Sequence, residues 1–323
     1  MNDKWLVGVD LGGTTIKLAF ITYEGEIIHK WEIKTNTSAQ GLYITQDIAR
    51  TLDEKLTELG QVKSKLAGIG IGAPGPVNLS SGVVYETVNI GWKDYPLEKL
   101  LEEATGLPVS VDNDANVAAI GEMWKGVGAG ATDLVCITLG TGVGGGVIAN
   151  GQIVQGISGA AGEIGHITVI AEHGATCNCG KTGCLETVAS ATGIVRLAKE
   201  ALQNSEKQSL LRDIWKKNGT ITAKDVFDAA KTDELANSVV ETMTFHLGLS
   251  IANIANTLNP ELVVIGGGVS RAGELLLSSI QKNFVKFAFP RVAKSTKLAI
   301  ATLGNDAGVI GSSWLAKKKL ENS

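Results

Sequence analysis

One pattern occurs twice in this chain of 323 residues, and it limits the folds open to the chain. In each copy a strand-like segment runs into a turn of glycines and threonines, and two further strand-like segments joined by a tight turn follow. The glycine turns lie at 10–15 and 140–146, about 128 residues apart. An internal duplication of this kind predicts two similar α/β domains that face each other.

Apolar periodicity predicts helices around these strands. A long helix is expected at 238–257, and another begins near Asp114, with Asn113 or Asp114 as its cap. The polar stretch 203–220 is interpreted as an insertion. Residues 290–296 are expected to form the connection before the last strand.

The composition excludes several classes of protein. With 44% hydrophobic and 19% charged residues, the chain is globular rather than disordered. A net charge of −4 argues against a nucleic-acid surface, and the basic run Lys317–Lys319 is expected to be a solvated helix end. The sequence contains no stretch of about 18 apolar residues, so no membrane span is predicted. Few, clustered cysteines and no export signal favour a reducing cytoplasm, and a metal site rather than disulfides.

Three glycine-rich turns follow strand-like segments and predict a nucleotide site. Backbone N–H groups without a nearby Cβ, together with threonine hydroxyls, cradle phosphate. One such turn is more often structural, but three of them, two being duplicates, favour nucleotide binding. Asp10 ends a buried strand beside the first turn and suits Mg²⁺, which prefers a carboxylate with waters and phosphate oxygens. The residues expected to bind ATP and its metal are Asp10, Gly12, Gly13, Thr14, Thr15, Lys17, Gly140, Thr141, Gly142, Gly266, Gly267 and Gly268.

The segment Asn113-Asp114-Ala115-Asn116 has two interpretations. By itself it is most simply a helix cap. Beside a phosphate site, Asp114 becomes the candidate general base, because the hydroxyl that accepts a phosphoryl group needs a carboxylate to take its proton.

Three of the four cysteines, Cys177, Cys179 and Cys184, lie within eight residues, downstream of His166. Three thiolates and one imidazole complete a tetrahedral zinc shell, which leaves no open position for activating water. We therefore expect a structural zinc. The second ring nitrogen of His166 and the flanking carboxylates of Glu163 and Glu186 are left to bind hydroxyl groups.

Together these motifs resemble those of the ROK family of sugar kinases, over nearly the whole chain. The most specific segment is Glu163-x-x-His166 followed by Cys177-x-Cys179-Gly180-x-x-Gly183-Cys184-x-Glu186. The segments at 10–14, 113–116 and 266–268 also fit. One departure is Asp112, where many members of the family carry glutamate.

The resemblance implies an actin-like/hexokinase-like ATPase fold (duplicated ribonuclease H-like), with sugar and ATP in a cleft between two domains. We expect a small domain of residues 1–113 plus about 305–323, and a large domain of 114–304 that carries the zinc loop. The resemblance also implies ATP-dependent phosphorylation of the 6-hydroxyl of glucose, with Asp114 as the base. We expect the protein to form a homo-oligomer, either a dimer or a tetramer. The residues expected at the sugar are Asn113, Asp114, Glu163, His166, Glu186, Gly75 and Asn89. The zinc ligands implied are His166, Cys177, Cys179 and Cys184.

Several alternatives stay open from the sequence. The acceptor could be fructose, mannose or N-acetylmannosamine, and the donor could be polyphosphate. The family also includes sugar-responsive transcriptional regulators, which resemble this fold with a helix-turn-helix domain ahead of it. Here the phosphate-site strand begins by residue 5, and Asp114 is present. Both features disfavour a regulator, and Asp114 also disfavours a sugar-binding module without catalysis.

Overall fold

The structure is a computed structural model that describes residues 3–87 and 89–322. Within these residues the strands are β1 (Trp5–Leu11), β2 (Thr15–Ile21), β3 (Ile27–Lys34), β4 (Leu66–Ala73), β5 (Val77–Asn78), β6 (Val83–Glu86), β7 (Lys93–Tyr95), β8 (Val109–Asn113), β9 (Leu134–Leu139), β10 (Val143–Ala149), β11 (Gln152–Ile153), β12 (Leu262–Gly266) and β13 (Lys297–Ile300). The helices are α1 (Ile44–Glu58), α2 (Leu97–Thr105), α3 (Asp114–Lys125), α4 (Glu186–Ala189), α5 (Ala191–Gln203), α6 (Leu210–Asn218), α7 (Ala223–Ala229), α8 (Glu234–Leu258), α9 (Glu274–Phe287), α10 (Pro290–Ser295) and α11 (Ala307–Glu321).

The chain divides into two compact units. The first contains Met1–Gly130, Gly146–Gly162 and Leu303–Ser323, and the second contains Ala131–Gly145 and Glu163–Thr302. The division expected from the sequence, with its boundaries at 113 and about 305, stays a prediction.

The first unit is built on a five-stranded sheet with the order β3-β2-β1-β4-β8. β1 to β3 form an antiparallel meander, whereas β4 and β8 continue the sheet in parallel to β1. The apolar faces of α1 and α2 pack on the buried strand residues. On β1 and β4, Gly8 and Gly70 let α11 approach closely, because a Cβ at either position would lie within 2 Å of the carbonyl oxygen of Val309 or Ser312.

The second sheet has the order β11-β10-β9-β12-β13. β12 pairs in parallel with both β9 and β13, as β4 pairs in parallel with β1 and β8. In the second unit, α8 packs against α5, α7 and α9 through buried residues such as Met243, Leu247 and Phe284. The equal order of the two sheets confirms the predicted duplicated α/β fold.

The tight turn predicted in the second copy of the repeated pattern is also confirmed. Asn150 and Gly151, both with positive φ, form the tight turn between β10 and β11. The small antiparallel sheet of β5, β6 and β7 was not predicted, since its strands are only two to four residues long. Within the described residues no helix combines the length and apolar character needed to cross a membrane.

Two predictions about helices need correction, and a third stays a prediction. The segment expected as a connection before the last strand is helical as α10, and Pro290 occupies the first helical turn, where its fixed φ suits a helix. The stretch 203–220 contains α6, capped by the Ser209 side chain, and its interpretation as an insertion stays a prediction. The basic run is only partly solvated: Lys317 donates to the carbonyl of Tyr23, and Lys319 donates to Glu98. These lysines bind acceptors that are distant in sequence, so their local pattern could not indicate them.

Candidate active site and metal centre

Asp114 is exposed at the first position of α3, directly after β8. Asn113 caps the helix, because its Oδ1 accepts hydrogen bonds from the backbone N–H of Ala115 at 2.9 Å and of Asn116 at 3.3 Å. The N–H of Ala115 also donates to Asp114 Oδ1 at 2.8 Å. The helix N-terminus favours negative charge at this position. The cap and the carboxylate predicted as a base therefore coexist in one short segment.

The rigid loop after β4 is tied to this cap. Asn113 Nδ2 donates to the carbonyl oxygen of Gly75 at 3.0 Å. Gly75 has φ +88°, and a Cβ there would lie 2.2 Å from the carbonyl oxygen of Glu86, so only glycine fits. The structure thus brings Gly75 and Asn113, two residues predicted to bind the sugar, into direct contact.

The first glycine turn, Gly12–Thr14, joins β1 to β2. The N–H of Gly12 donates to the carbonyl of Thr15 at 3.0 Å, and the Thr35 hydroxyl donates to the carbonyl of Gly12 at 2.7 Å. Asn89 lies beside the turn, because a Cβ on Gly13 would be 3.0 Å from that of Asn89. Asn89, a residue predicted to bind sugar, is therefore near the first glycine turn.

Asp10 and Lys17 face each other across β1 and β2. They are register partners, and Lys17 Nζ lies 3.2 Å from Asp10 Oδ2. Gly308 on α11 backs the carboxylate, since a Cβ there would lie 2.7 Å from Asp10 Cγ. A carboxylate beside a glycine turn fits Mg²⁺, which prefers few carboxylate ligands together with waters and phosphate oxygens.

One cluster in the second unit fits a metal ion. Ligand atoms of His166, Cys177, Cys179 and Cys184 all lie within 4.8 Å of one another. Cys177 Sγ is 3.5 Å from His166 Nδ1, and Cys179 Sγ is 3.7 Å from Cys184 Sγ. A tetrahedral zinc ion with ordinary bond lengths keeps two sulfur ligands about 3.8 Å apart, and a sulfur and a nitrogen about 3.6 Å apart. The predicted donor set therefore has the spacing of a closed zinc site.

The backbone shapes this cluster. The N–H of Cys177 donates to the carbonyl of Lys181 at 2.8 Å, and the Lys181 ammonium donates to the carbonyl of His166 at 2.9 Å. Burial raises the pKa of the Cys177 thiol to about 12, whereas the Lys181 backbone lowers the pKa of exposed Cys179. A bound cation is what would hold Cys177 as a thiolate at neutral pH, with release of its proton.

Two predicted carboxylates flank the cluster. Glu163 Oε2 is 3.8 Å from His166 Nε2, the ring nitrogen that points away from the other ligands. Glu186 Oε1 is 3.8 Å from Cys177 Sγ. Both carboxylates thus lie next to the Cys/His cluster without being needed for its four-ligand set.

Glu186 also binds the second glycine turn, Gly140–Gly142. Its Oε2 accepts from the N–H of Val143 at 3.0 Å, and a Cβ on Gly142 would lie 2.3 Å from this oxygen. The carbonyl of Thr141 accepts from the Thr192 hydroxyl at 2.8 Å. No sequence pattern indicates that the Glu186 side chain contacts both the cysteine cluster and the second glycine turn.

The third turn, Gly266–Gly268, follows β12. Gly267 has φ +83°, and a Cβ there would lie about 2.5 Å from the backbone of Leu139. The N–H and hydroxyl of Ser270 both donate to the carbonyl of Gly267. This turn lies beside the end of β9, which leads into the second glycine turn.

A buried carboxylate under α3 was missed as a functional residue. Asp112 is only 2% exposed and accepts hydrogen bonds from the Asn113 N–H at 2.7 Å, from Asn116 Nδ2 at 2.8 Å and from Gln155 Nε2 at 3.1 Å. Burial raises the pKa of Asp112, and these hydrogen bonds oppose the rise. Gln155 carried no signal in the sequence, because its partner lies 43 residues away.

The ROK family matches residues 6–319. The chain belongs to the ROK family. A glucokinase of Halalkalibacterium halodurans is 59% identical over 324 residues, which cover 100% of this chain and 98% of the relative.

Two solved structures of the family extend the comparison. A ROK family glucokinase from Streptomyces griseus, in complex with glucose and AMPPNP, is 34% identical with a TM-score of 0.80, and the match covers 97% of this chain and 99% of the other. A ROK family transcriptional regulator has a TM-score of 0.86 at 29% identity, and the match covers 98% of this chain and 78% of the regulator. The actin-like/hexokinase-like fold expected of the family is confirmed.

Proposed function

We propose that this ROK family protein is an ATP-dependent glucokinase that phosphorylates the 6-hydroxyl of glucose. The observation that carries the proposal is the exposed Asp114 carboxylate at the start of α3, with its neighbours fixed by the Asn113 cap. The full-length identity of 59% to a glucokinase supports glucose as the acceptor.

Asp114 is the proposed general base. The helix dipole favours negative charge at a helix N-terminus, and a carboxylate there can accept the proton of the sugar hydroxyl. The attacking oxygen gains nucleophilic character as that proton leaves. Asn113 orients the start of the helix through its bonds to Ala115 and to the carbonyl of Gly75, and we assign Asn113, Gly75 and Asn89 to sugar binding.

The three glycine turns are proposed to bind ATP. Their backbone N–H groups and threonine hydroxyls accommodate the phosphates without obstruction by a Cβ. Asp10 would hold Mg²⁺, which neutralises phosphate charge when bound. Lys17, 3.2 Å from Asp10, is placed to contact a phosphate oxygen by a change of side-chain rotamer.

Zinc is proposed as a scaffold rather than a catalyst. His166, Cys177, Cys179 and Cys184 would hold it, and the closed shell leaves no position for water. We propose that the loop ordered in this way presents Glu163, His166 and Glu186 to sugar hydroxyls. Each carboxylate oxygen accepts a hydroxyl donor, and the set selects among hexoses by position.

The cysteines indicate the cell compartment. Among the described residues, none of the four cysteines forms a disulfide. Thiolates that bind zinc persist in a reducing compartment, and we propose the cytoplasm. Homo-oligomerisation stays a prediction, which analytical ultracentrifugation would test.

Replacement of Asp114 by Asn tests the base. We expect kcat to fall about 10² to 10⁴-fold, because general base catalysis contributes this much, while the glucose Kd stays measurable by calorimetry. Asp213→Asn is the matched control, since Asp213 is an exposed carboxylate in the first turn of α6. Retention of more than a tenth of kcat in Asp114→Asn would exclude Asp114 as the base.

The acceptor and donor are tested by ADP release. We expect the highest kcat/KM with glucose among glucose, fructose, mannose and N-acetylmannosamine, and higher activity with ATP than with polyphosphate. A higher kcat/KM with another hexose would reassign the acceptor. Binding of a DNA library with no phosphorylation of any hexose would favour the regulator class.

A further inference from the structure

Gln155 makes a contact that none of the proposed catalytic roles uses. It follows β11 in the first unit, and its side-chain amide donates to Asp112 Oδ2 at 3.1 Å. Asp112 is 2% exposed, so its carboxylate needs protein donors in place of water. An ionised carboxylate only accepts, and Gln155 is one of three donors that match it.

The other oxygen of Asp112 holds the residues on both sides of Asp114. Oδ1 accepts from the backbone N–H of Asn113 at 2.7 Å and from the side chain of Asn116 at 2.8 Å. Asp114 lies between these two residues in the chain. The direction of its side chain therefore depends on how the Asp112 carboxylate is oriented.

Gln155 is itself held in place by its loop. Its carbonyl accepts from the N–H of Ala161 at 3.1 Å, which closes residues 155–161 into a compact turn. Gly159 in this turn lies against β5, since a Cβ there would be 2.3 Å from the carbonyl oxygen of Val77. The amide of Gln155 thus approaches Asp112 from a fixed backbone.

We propose that Gln155 is a positioning residue for phosphoryl transfer, which acts through Asp112 to fix the direction of the Asp114 carboxylate. The inference rests on the proposed function, in which Asp114 takes the proton of the sugar hydroxyl. A displacement of about 1 Å between reacting groups costs about 10²-fold in rate, so a distant hydrogen bond that prevents this displacement affects kcat. Glucose affinity depends less on it, because Asn113 keeps its bonds to Gly75 and Ala115.

Gln155→Glu and Gln155→Met test the proposal. The first places a second carboxylate against Asp112, and the second removes the donor without adding charge. We expect each to lower kcat tenfold or more at saturating glucose and ATP, with a change of less than threefold in the glucose Kd. A kcat within twofold of wild type in both variants overturns the proposal.

An exchange of the two groups provides the rescue. In the double variant Asp112→Asn, Gln155→Glu, one amide and one carboxylate face each other again with their positions exchanged. We expect its kcat to return to within threefold of wild type, so the losses of Gln155→Glu and Asp112→Asn are not multiplicative. A double variant no faster than Gln155→Glu refutes the coupling.

Two further measurements distinguish a positioning role of Gln155 from a purely structural one. If Gln155 only supported the fold, the variants would lose thermal stability while the folded fraction kept its kcat, and that result overturns the proposal. Asp114→Asn in the same assay separates the positioning role from the proposed function. Retained kcat there contradicts the proposed function, whereas loss there with unchanged kcat in the Gln155 variants contradicts only the positioning role.

Discussion

The substitution Cys179→Ser tests how much the proposed zinc site contributes to glucose binding. Cys179 is the exposed ligand of the cluster, so serine leaves no cavity and its hydroxyl meets water. Serine is a poor zinc ligand, and three remaining donors bind the metal much less tightly. We expect zinc to be lost while the rest of the second unit stays folded.

The size of the effect follows from the contacts. His166 Nδ1 belongs to the cluster, and its Nε2 lies 3.8 Å from Glu163, so loss of zinc releases this pair. Glu186 keeps its bond from the N–H of Val143 at 3.0 Å. One charge-assisted hydrogen bond to the sugar is then lost, worth about 1.5–3 kcal/mol, which corresponds to a 10- to 150-fold weaker glucose Kd.

The assay combines elemental analysis for zinc with calorimetry for glucose. Cys136→Ala is the matched control, because Cys136 is a buried thiol on β9 outside the cluster, and we expect it to keep both zinc and affinity. Zinc lost with a glucose Kd within twofold of wild type would refute the coupling. So would one zinc per chain retained in Cys179→Ser.

Two further substitutions test the nucleotide site and the fold. Gly308→Ala places a Cβ 2.7 Å from Asp10 Cγ, so we expect the KM for MgATP to rise tenfold or more. Helix propensity alone would favour alanine over glycine by about 1 kcal/mol. An unchanged KM would show that Asp10 is not needed. Asp233 caps α8 and accepts from the Ser209 hydroxyl, so Asp233→Ala should lower the free energy of unfolding by about 2–4 kcal/mol in urea titrations. Burial acts to raise the pKa of Asp233, but hydrogen bonds from Ser209 and from the backbone outweigh burial and lower this pKa below 3.8. Its contribution is therefore complete above this value and is lost as the pH falls through the folded pKa, and Asp233→Asn should flatten that acid limb; an acid limb as steep as in wild type would contradict it.

Local spacing accounts for the parts that the sequence predicted well. The Asn113 cap and the Asn150-Gly151 turn each depend on residues within a few positions of one another. The zinc donors Cys177–Cys184 are also close in the chain. Short segments have few conformations to choose from, so residue type and spacing suffice.

The failures have the opposite character. Lys319 binds Glu98 across 221 residues, and α10 forms where an irregular connection was expected. The strands β5, β6 and β7 of the small sheet are too short for an alternation of apolar and polar residues to indicate them. The contact of Lys319 comes from a distant element, whereas α10 and the strands β5 to β7 are too short for periodicity to specify them.

By itself the sequence determined the duplicated α/β fold, the cysteines and histidine that form one cluster, and the position of the carboxylate Asp114 at a helix start. Only the tertiary structure decided that Gln155 reaches Asp112 and that Glu186 reaches the turn before Val143. Glycine turns and cysteine spacings encode local geometry along the chain. Hydrogen bonds between buried side chains depend instead on how the folded elements pack, and they become defined only when the sheets and helices are in place.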